Sequence, residues 1–388
     1  MLDTRVRAAD HEARRRAQSA AYDEAPVAEN RRDSVKNSGD SGDSADPVTT
    51  LEDFLSHARF DPADPAALGA ILTQMIAAGH DRLPLPGSGR TLTRWRALAT
   101  VAARDLGLVK LFEGHTDALA ILAELQAPAA PPGSSWAVWA AEAPDARLTA
   151  TPLADGELQL DGVKAWCSGA RAVSHALVTA WLGDQPVLAA VTLDQPFSVS
   201  ITADHWQAVG MRATESGDVR FERSRASQIG MPRDYVDRAG FWQGGAGIAA
   251  CWYGAAAGIA HMMADAVAAR PDAHRLAHMG AVEVALAGAA AVLRATAAQI
   301  DANPRADFQR AALCARLAVE AAATTVMNHA GRALGAAPLC RNERFARAMA
   351  DLPVFLRQSH AERDLAALGE CALLSAREGE GDGGTWPL

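Results

Sequence analysis

Cysteine is scarce in this chain, and its spacing excludes two kinds of structural site. Five cysteines lie far apart in the 388 residues, and no two of them form a C-x-x-C pair: Cys167, Cys251, Cys314, Cys340 and Cys371. An odd number of widely spaced cysteines predicts neither a disulfide framework nor a zinc site. We therefore expect free thiols in a reducing compartment, which makes the cytoplasm the default location.

Long apolar runs and concentrated positive charge are also missing. We find no apolar run that approaches the roughly 20 residues of a membrane span, and the N-terminus lacks the apolar core of a secretory signal. The formal net charge is −9, and the one basic cluster is Arg14–Arg16 in the N-terminal tail. Nucleic acid is therefore not expected as the main partner. With 49% hydrophobic and 21% charged residues, most of the chain should be globular.

The chain changes character several times along its length. The polar run Ser38–Ser44 cannot bury enough apolar surface to offset chain entropy, so the first segment should be disordered. Apolar residues at helical spacing follow, then short strands bounded by Gly, Pro and Asp, then alanine-rich helices. The predicted segments are a tail at 1–48, a helical domain at 49–130, a β domain at 131–230, a helical bundle at 231–378 and a tail at 379–388.

The most informative stretch runs from Leu158 to Ala170. Asp161-Gly162 predicts a two-residue hairpin turn, because both central positions of such a turn need positive φ. The following strand ends in Trp166, which precedes Cys-Ser-Gly, so a large flat ring lies beside a small hydroxyl on bare backbone. That combination suits the edge of a flat heteroaromatic cofactor. The alternative is a hairpin in any β domain with a tryptophan in its core.

This stretch resembles the Asn-Gly-x-Lys-x-Trp-Ile-Thr-Asn signature of acyl-CoA dehydrogenases, in which the strand abuts FAD. The helical, β, helical order over roughly residues 50–375 is also the order of that superfamily. The resemblance implies an α+β fold with an N-terminal helical domain, a middle antiparallel β domain and a C-terminal four-helix bundle. It also implies FAD as cofactor and a homodimer or homotetramer, since a second subunit completes the FAD site in this superfamily.

The resemblance implies roles for residues at the end of this strand. Trp166 would lie against the isoalloxazine edge, and Ser168 stands where the superfamily has a threonine that bonds near the flavin N5. Protein groups at this position tune the electronics of such a cofactor. Arg212 and Thr214 belong to a stretch similar to the superfamily's Gly-x-Arg-x-Ser, and they either face the cofactor or are structural.

A second set of implied cofactor residues lies in the C-terminal helices. Gly331 and Gly335 resemble the glycines of the turn that approaches the ADP part of FAD, and Arg332 adds positive charge for a phosphate. Arg270 and Arg275 resemble the superfamily's arginine contacts to the pyrophosphate. The alternative is that these arginines are ordinary charges at helix ends.

Two departures from the superfamily affect the expected chemistry. The loop Trp139–Asp145 lacks the glycines and the serine that serve flavin and acyl thioester, and Glu142 is interpreted as a solvated loop charge. Ser359 and His360 stand where the superfamily has its catalytic glutamate and the following glycine. His360 is the candidate base or hydrogen-bond donor, because imidazole titrates near neutral pH. The alternative is that Ser359 and His360 cap a helix start.

These features predict an FAD-dependent oxidoreductase that acts on a CH–CH group of an acyl thioester or a similar small molecule. The electron acceptor stays open between an electron-transfer protein and oxygen, and the candidate protein partner is an electron-transfer protein or a reductase. Two alternatives stay open: a two-component flavin monooxygenase supplied by a reductase, and a catalytically silent flavoprotein or scaffold. The glycine run Gly244–Ala250 does not follow a strand, so close helix packing is expected there. His274 and His278 lack the glutamate of H-E-x-x-H and are interpreted as surface histidines, so no metal site is expected.

Overall fold

The computed structural model describes residues 46–378, which belong to one compact unit. The predicted tail at 379–388 and residues 1–45 of the predicted N-terminal tail lie outside the described residues. The first helix begins at Pro47, inside the segment predicted to be disordered, because the Asp46 carboxylate caps it and proline suits its first turn. Within 46–378, four helices precede seven strands, and seven helices follow them.

The helices before the sheet are α1 (Pro47–His57), α2 (Pro65–Ala77), α3 (Thr91–Arg104) and α4 (Leu106–Glu124). The strands are β1 (Trp136–Trp139), β2 (Leu148–Pro152), β3 (Leu158–Cys167), β4 (His175–Leu182), β5 (Gln185–Thr192), β6 (Val199–Thr202) and β7 (Gly217–Ile229). The later helices are α5 (Asp234–Asp237), α6 (Gly240–Ala269), α7 (Ala273–Ala302), α8 (Gln309–Leu334), α9 (Ala336–Arg341), α10 (Glu343–Phe355) and α11 (Glu362–Glu378). Short 3₁₀ turns occupy Arg212–Thr214 and Leu356–Gln358.

Five of the strands close into a ring in which neighbours pair in the order β4, β2, β3, β7, β5 and back to β4. β1 pairs with the first half of β4, and β6 pairs with the first half of β7. The prediction of a purely antiparallel domain is wrong, since β2 and β1 both run parallel to β4. A closed ring with an odd number of strands cannot alternate direction throughout, so one parallel pair is unavoidable.

The predicted hairpin turn at Asp161-Gly162 is wrong, because both residues lie inside β3. The chain turns earlier, at Asp155-Gly156, where Gly156 has φ +86. Gly162 marks a bulge instead: the register of β3 against β7 shifts there, and φ is +127. A Cβ on Gly162 would lie 2.2 Å from the Arg147 carbonyl oxygen, so only glycine fits. An Asp-Gly pair signals positive φ in a bulge as well as in a turn.

Glycines let α6 approach α3 closely. A Cβ on Gly254 would lie 2.1 Å from the Ala99 carbonyl oxygen, and one on Gly258 would lie 2.9 Å from that of Ala103. The run Gly244–Ala250 is the start of the same helix and does not follow a strand. The prediction of helix packing over a dinucleotide-binding loop is therefore confirmed for α6.

A carboxylate at the end of α7 caps the start of α3. Asp301 Oδ1 accepts the Gly89 N–H at 3.0 Å and the Thr91 hydroxyl at 2.6 Å, and Oδ2 accepts the Thr91 N–H at 3.0 Å. The α3 N-cap residue, Arg90, makes no side-chain cap of its own. The distant carboxylate satisfies N–H groups that a helix start otherwise leaves unpaired, and it ties the C-terminal helices to the N-terminal ones.

Three helices, α6, α7 and α11, pack against α8. Among the described residues one helix, α7, is long and apolar enough to span a membrane by length and composition alone, and only 22% of that apolar window is buried in the single chain. Glu283 and Arg294 interrupt the apolar sequence of this helix, so its uninterrupted apolar stretches stay well short of the roughly 20 residues of a membrane span. The predicted domain boundaries and four-helix bundle stay predictions, since residues 46–378 form one unit.

Candidate functional site

The end of β3 presents Trp166 to solvent. Its backbone adopts φ +58, and 55% of its surface is exposed. The alternative of a tryptophan packed in a β-domain core is therefore wrong. Three residues later, Gly169 donates its N–H to the Thr214 carbonyl at 2.8 Å, which ties the strand end to the 3₁₀ turn. A left-handed backbone is uncommon for a bulky residue, and such geometry concentrates at functional sites.

A chain of hydroxyl groups runs inward from Ser168. The Ser168 and Ser216 hydroxyl oxygens lie 2.7 Å apart, and the Ser216 and Thr214 hydroxyl oxygens lie 2.9 Å apart. Thr214 donates its hydroxyl proton to the Met211 carbonyl at 2.8 Å. Thr214 and Ser216 are buried, whereas Ser168 is half-buried. Thr214 thus connects to the strand end through Ser216, which the sequence did not single out.

A small cavity lies beside Ser168, between β1 and α4. Trp139 donates its indole N–H to the Ser168 carbonyl at 3.2 Å, which fixes the backbone on one side of the cavity. Lys110 and Gly114 of α4 line the opposite side. The Lys110 ammonium pairs with the buried Glu113 carboxylate. Burial raises the pKa of Glu113, and the Lys110 charge opposes that rise.

The Glu142 side chain is not simply a solvated loop charge, as the sequence suggested. Its carboxylate accepts hydrogen bonds from Lys164 Nζ at 2.7 Å, from the Thr179 hydroxyl at 2.7 Å and from the Trp181 indole at 3.0 Å. Partial burial favours a higher pKa, but the bonds from Lys164 and Trp181 outweigh it and leave the pKa of Glu142 lowered. This carboxylate therefore anchors the loop to the barrel and is poorly suited to act as a base.

Ser359 and His360 lie just before α11, which begins at Glu362. The buried Ser359 hydroxyl accepts the Ala361 N–H at 3.3 Å, and the Asp364 carboxylate accepts the His360 N–H at 3.1 Å. The His360 ring is more than half exposed, with Nδ1 3.3 Å from Asp364 Oδ1. These contacts match the capping alternative. Among residues 46–378 no hydrogen bond, ion pair or ring contact joins Ser359 or His360 to Trp166.

An arginine that the sequence did not single out holds the segment before this helix. Arg316 of α8 donates to the Gln358 carbonyl at 2.7 Å and to the Gly245 carbonyl at 2.8 Å. Its guanidinium also lies 4.9 Å from the centre of the Trp252 ring. Arg316 is buried, and burial lowers its pKa. Nothing local in the sequence distinguishes it from the exposed arginines, since its partners are backbone carbonyls of distant segments.

The predicted cofactor residues of the C-terminal helices do not share one turn. Gly331 lies inside α8, where a Cβ would meet only the Met349 methyl at 3.8 Å, so its assignment to the turn is wrong. Gly335, with φ +67, is the residue between α8 and α9. Arg332 and Arg270 are exposed, and within residues 46–378 their side chains make no hydrogen bond or ion pair.

Arg275 and His278 serve local structure. Arg275 donates to the Arg270 carbonyl at 2.9 Å and pairs with Asp272 at 3.3 Å, as an ordinary charge near a helix start does. His278 is half-buried, and its Nδ1 lies 2.9 Å from Nδ1 of His329 on α8, so it is not a lone surface histidine. Within the part of the chain that the structure describes, no group of three or more potential ligands could hold a metal ion.

A buried aspartate, Asp351 of α10, was missed by sequence reasoning. Its carboxylate accepts the Met211 N–H, which lies at the inner end of the hydroxyl chain. Burial raises the pKa of Asp351 to about 6, against the opposing effect of that hydrogen bond. Asp351 also lines a cavity together with Asp105 and Arg347. Its only sequence signal is a charged residue on the apolar side of an amphipathic helix, which is not diagnostic.

The helix, barrel, helix order is that of the acyl-CoA dehydrogenase-like fold, which the matching solved structures share. No protein-family model matches the chain, and no curated protein matches it in sequence. The dibenzothiophene monooxygenase TdsC from Paenibacillus sp. A11-2 is 19% identical, with a TM-score of 0.67 over 84% of this chain and 96% of that one. TdsC has also been solved with FMN and indole.

Two further structures are similar to a comparable degree. The methanesulfinate monooxygenase MsuC from Pseudomonas fluorescens is 17% identical, with a TM-score of 0.67 over 85% of this chain and 97% of its own. The nitrososynthase from Micromonospora carbonacea var. africana is 17% identical, with a TM-score of 0.66 over 86% of this chain and 98% of its own. The likeness confirms the acyl-CoA dehydrogenase-like fold, whereas the three-domain layout stays a prediction. The function has to be argued from the residues.

Proposed function

We propose that this protein is a flavin-dependent oxidoreductase. The isoalloxazine ring of the flavin would bind at the end of β3. The observation that carries the proposal is the exposed Trp166 two residues before Ser168, where a buried hydroxyl chain reaches the surface. A flat indole and a hydrogen-bonding hydroxyl fit the face and edge of a flat heteroaromatic ring. The FMN found in TdsC, which has the same fold, supports this assignment.

We further propose that the reaction is a monooxygenation. When bound and reduced, a flavin supplies activation of dioxygen. Dehydrogenation of an acyl thioester needs a carboxylate base on the other side of the substrate. Here Ser359 and His360 occupy the expected position, Ser359 caps a helix, and Glu142 is held by three donors. A monooxygenase requires no such base, and two of the similar structures are monooxygenases by name.

The chain's own residues would bind and orient in such a reaction. Trp166 would hold the ring by stacking or edge contact, and Ser168 would supply a hydrogen-bonding oxygen to it. Trp139 and Lys110, on opposite sides of the adjoining cavity, would border the same region. The exposed Arg270 and Arg332 offer cationic partners to a pyrophosphate, so the proposal includes FAD as well as FMN. A small-molecule substrate, a separate reductase and a cytoplasmic location complete the proposed function.

Replacing Trp166 with alanine is expected to weaken flavin binding about thirtyfold, because burial of the ring against the cofactor is worth about 2 kcal/mol. Anaerobic titration with oxidised and with dithionite-reduced FMN or FAD, followed by flavin fluorescence and absorbance, measures the dissociation constants. Phe197→Ala is the matched control, since Phe197 is also an exposed aromatic residue with positive φ, at +68. Failure of the wild-type protein to bind flavin in either redox state would refute the proposal.

A second measurement separates the two reactions. Free reduced flavin reacts with dioxygen by itself, so the first assay compares a mixture of flavin reductase, NADH, flavin and dioxygen with and without this protein. A monooxygenase should change the rate of hydrogen peroxide release, because the reduced flavin that it binds meets dioxygen inside the protein. A dehydrogenase should instead bleach its bound oxidised flavin when a panel of acyl-CoA thioesters is added anaerobically. Bleaching by an acyl-CoA, without an effect of the protein on peroxide release in the first assay, would replace the monooxygenase assignment with the dehydrogenase.

We also propose a homo-oligomer in which α7 packs against a second copy of the chain. This helix is highly apolar yet mostly exposed, with Val284 at 75% and Leu276 at 55% exposure. A Cβ on Gly280 or Gly288 would meet no atom within 4 Å, so a neighbouring helix has room to approach. Exposed apolar surface of this kind marks an interaction site.

Val284→Lys is expected to convert the oligomer to smaller species, because a lysine would place an unpaired charge in the apolar contact. Analytical ultracentrifugation of wild type and variant at equal concentration measures the change. Glu283→Gln, at the neighbouring exposed position, is the control and should leave the sedimentation pattern unaltered. A monomeric wild-type protein, or an unchanged pattern for Val284→Lys, would contradict this interface.

A further inference from the structure

The hydroxyl chain beneath Ser168 has a fixed direction. The Met211 carbonyl can only accept, so the 2.8 Å contact with the Thr214 hydroxyl uses the single proton of that hydroxyl. The Thr214 oxygen must then accept in its 2.9 Å contact with Ser216, because Thr214 has no second proton to donate. Ser216 therefore donates to Thr214.

The same count decides the orientation of Ser168. The single hydroxyl hydrogen of Ser216 is donated to Thr214. The 2.7 Å contact between the Ser216 and Ser168 oxygens is therefore a hydrogen bond only if Ser168 donates. The Ser168 proton thus points into the protein. What Ser168 offers outward, beside Trp166, is an oxygen lone pair.

Burial and anchoring maintain this direction. Thr214 is 1% and Ser216 is 7% exposed, so water has little access to offer a competing partner. Asp351 accepts the Met211 N–H, and this contact holds the residue whose carbonyl terminates the chain. Reversal would require Thr214 to give up the Met211 carbonyl and leave two oxygens in contact without a proton between them.

We infer that Ser168 acts as a hydrogen-bond acceptor toward a bound flavin, so that the site prefers reduced over oxidised flavin. The inference rests on the proposed function, namely on a flavin whose N5 edge faces Ser168. Reduced flavin carries a hydrogen on N5, and this N–H group can donate a hydrogen bond to the Ser168 oxygen. Oxidised flavin presents a lone pair at N5, which would face the lone pair of Ser168. Such a preference suits an enzyme that receives its flavin already reduced.

The test compares two dissociation constants, those of oxidised and dithionite-reduced FMN under anaerobic conditions. The wild-type protein is expected to bind reduced FMN at least about tenfold more tightly, the effect of one hydrogen bond made in a single redox state. By linkage, each tenfold preference raises the midpoint potential of the bound two-electron couple by about 30 mV. Spectroelectrochemical titration of the bound flavin provides this second, independent readout.

Ser216→Ala and Thr214→Val each remove a hydroxyl group that fixes the donor direction of the hydrogen bonds beneath Ser168. In either variant the Ser168 hydroxyl hydrogen can point outward. Either variant is expected to lower the affinity ratio to within about threefold of unity, mainly through tighter binding of oxidised FMN. Thr214→Ser retains the hydroxyl and should retain the wild-type ratio. Thr214→Val is nearly isosteric, so it carries the test if Ser216→Ala does not fold, as judged by thermal unfolding.

The possible results are distinguishable. Binding of both redox forms by the wild-type protein with no preference for the reduced form overturns this inference and leaves the proposed flavin site standing. An unchanged preference in both Ser216→Ala and Thr214→Val also overturns it, since the preference would then have another origin. No binding of either redox form overturns the proposed function itself, and the inference with it.

Discussion

Replacing Gly210 with alanine is expected to lower the free energy of unfolding by more than about 3 kcal/mol. A Cβ at this position would lie 1.9 Å from the Ala350 carbonyl oxygen, 2.6 Å from its carbonyl carbon and 3.0 Å from a Val354 methyl. The two closest atoms belong to the backbone of α10, so no side-chain rotation relieves the clash. Urea denaturation followed by circular dichroism measures the loss.

The same substitution should disturb the candidate site. Met211, the next residue, donates its N–H to Asp351 on α10, and its carbonyl terminates the hydroxyl chain. Moving α10 away to accommodate a methyl group would lengthen that contact. Gly245→Ala is the control, because a Cβ there meets nothing within 4 Å and alanine is the better helix former by about 1 kcal/mol. Equal stability of the two variants would contradict the tight packing inferred at Gly210.

Asp351→Asn is expected to remove a pH dependence of stability between about pH 4 and pH 6. Burial raises the pKa of Asp351 from 3.8 to about 6, so the folded protein holds this proton more tightly than the unfolded chain. The resulting stabilisation is complete below pH 4 and is lost as the pH rises through 6. A difference of this size corresponds to about 3 kcal/mol. Asparagine keeps an oxygen that can accept the Met211 N–H.

The measurement is the unfolding free energy of wild type and variant at several pH values from 4 to 7. Asp105 is also buried with a raised pKa, so part of the slope should persist in the variant, and the difference between the two curves is the quantity of interest. Arg347 opposes the shift of Asp351 and is unchanged in both proteins. Asp265→Asn, at an exposed position on α6, should leave the slope intact. Parallel curves for Asp351→Asn and wild type would show that Asp351 is ionised throughout the folded state.

The sequence predicted the order of helices and strands well, because periodicity and breaker residues are local signals. It failed at Asp161-Gly162, where positive φ was expected at both residues but occurs only at Gly162, in a bulge within β3. It failed again at Gly331, since a glycine inside a helix and a glycine at a helix end look alike without the helix boundary. The parallel pairing of β2 with β4 follows from barrel closure, which no single strand encodes.

The candidate site shows the same division. Trp166 and Ser168 stand out in the sequence because a bulky ring next to small residues is a short-range pattern. Ser216 and Asp351 do not, because their roles depend on partners 48 and 140 residues away in the chain. Sequence likewise suggested a solvated role for Glu142, whose three donors come from β3 and β4.

By itself, the sequence determined that this chain builds helices, then a β domain, then alanine-rich helices, and that a tryptophan and a small hydroxyl residue end one strand. Side-chain size, backbone freedom and apolar spacing are properties of neighbouring residues, so they can be read along the chain. Only the tertiary structure decided that Trp166 is exposed, that the Ser168 hydroxyl meets that of Ser216, and that Asp351 supports Met211. Burial and hydrogen-bond direction depend on which distant segments meet, and they are settled when the barrel closes and α10 packs against it.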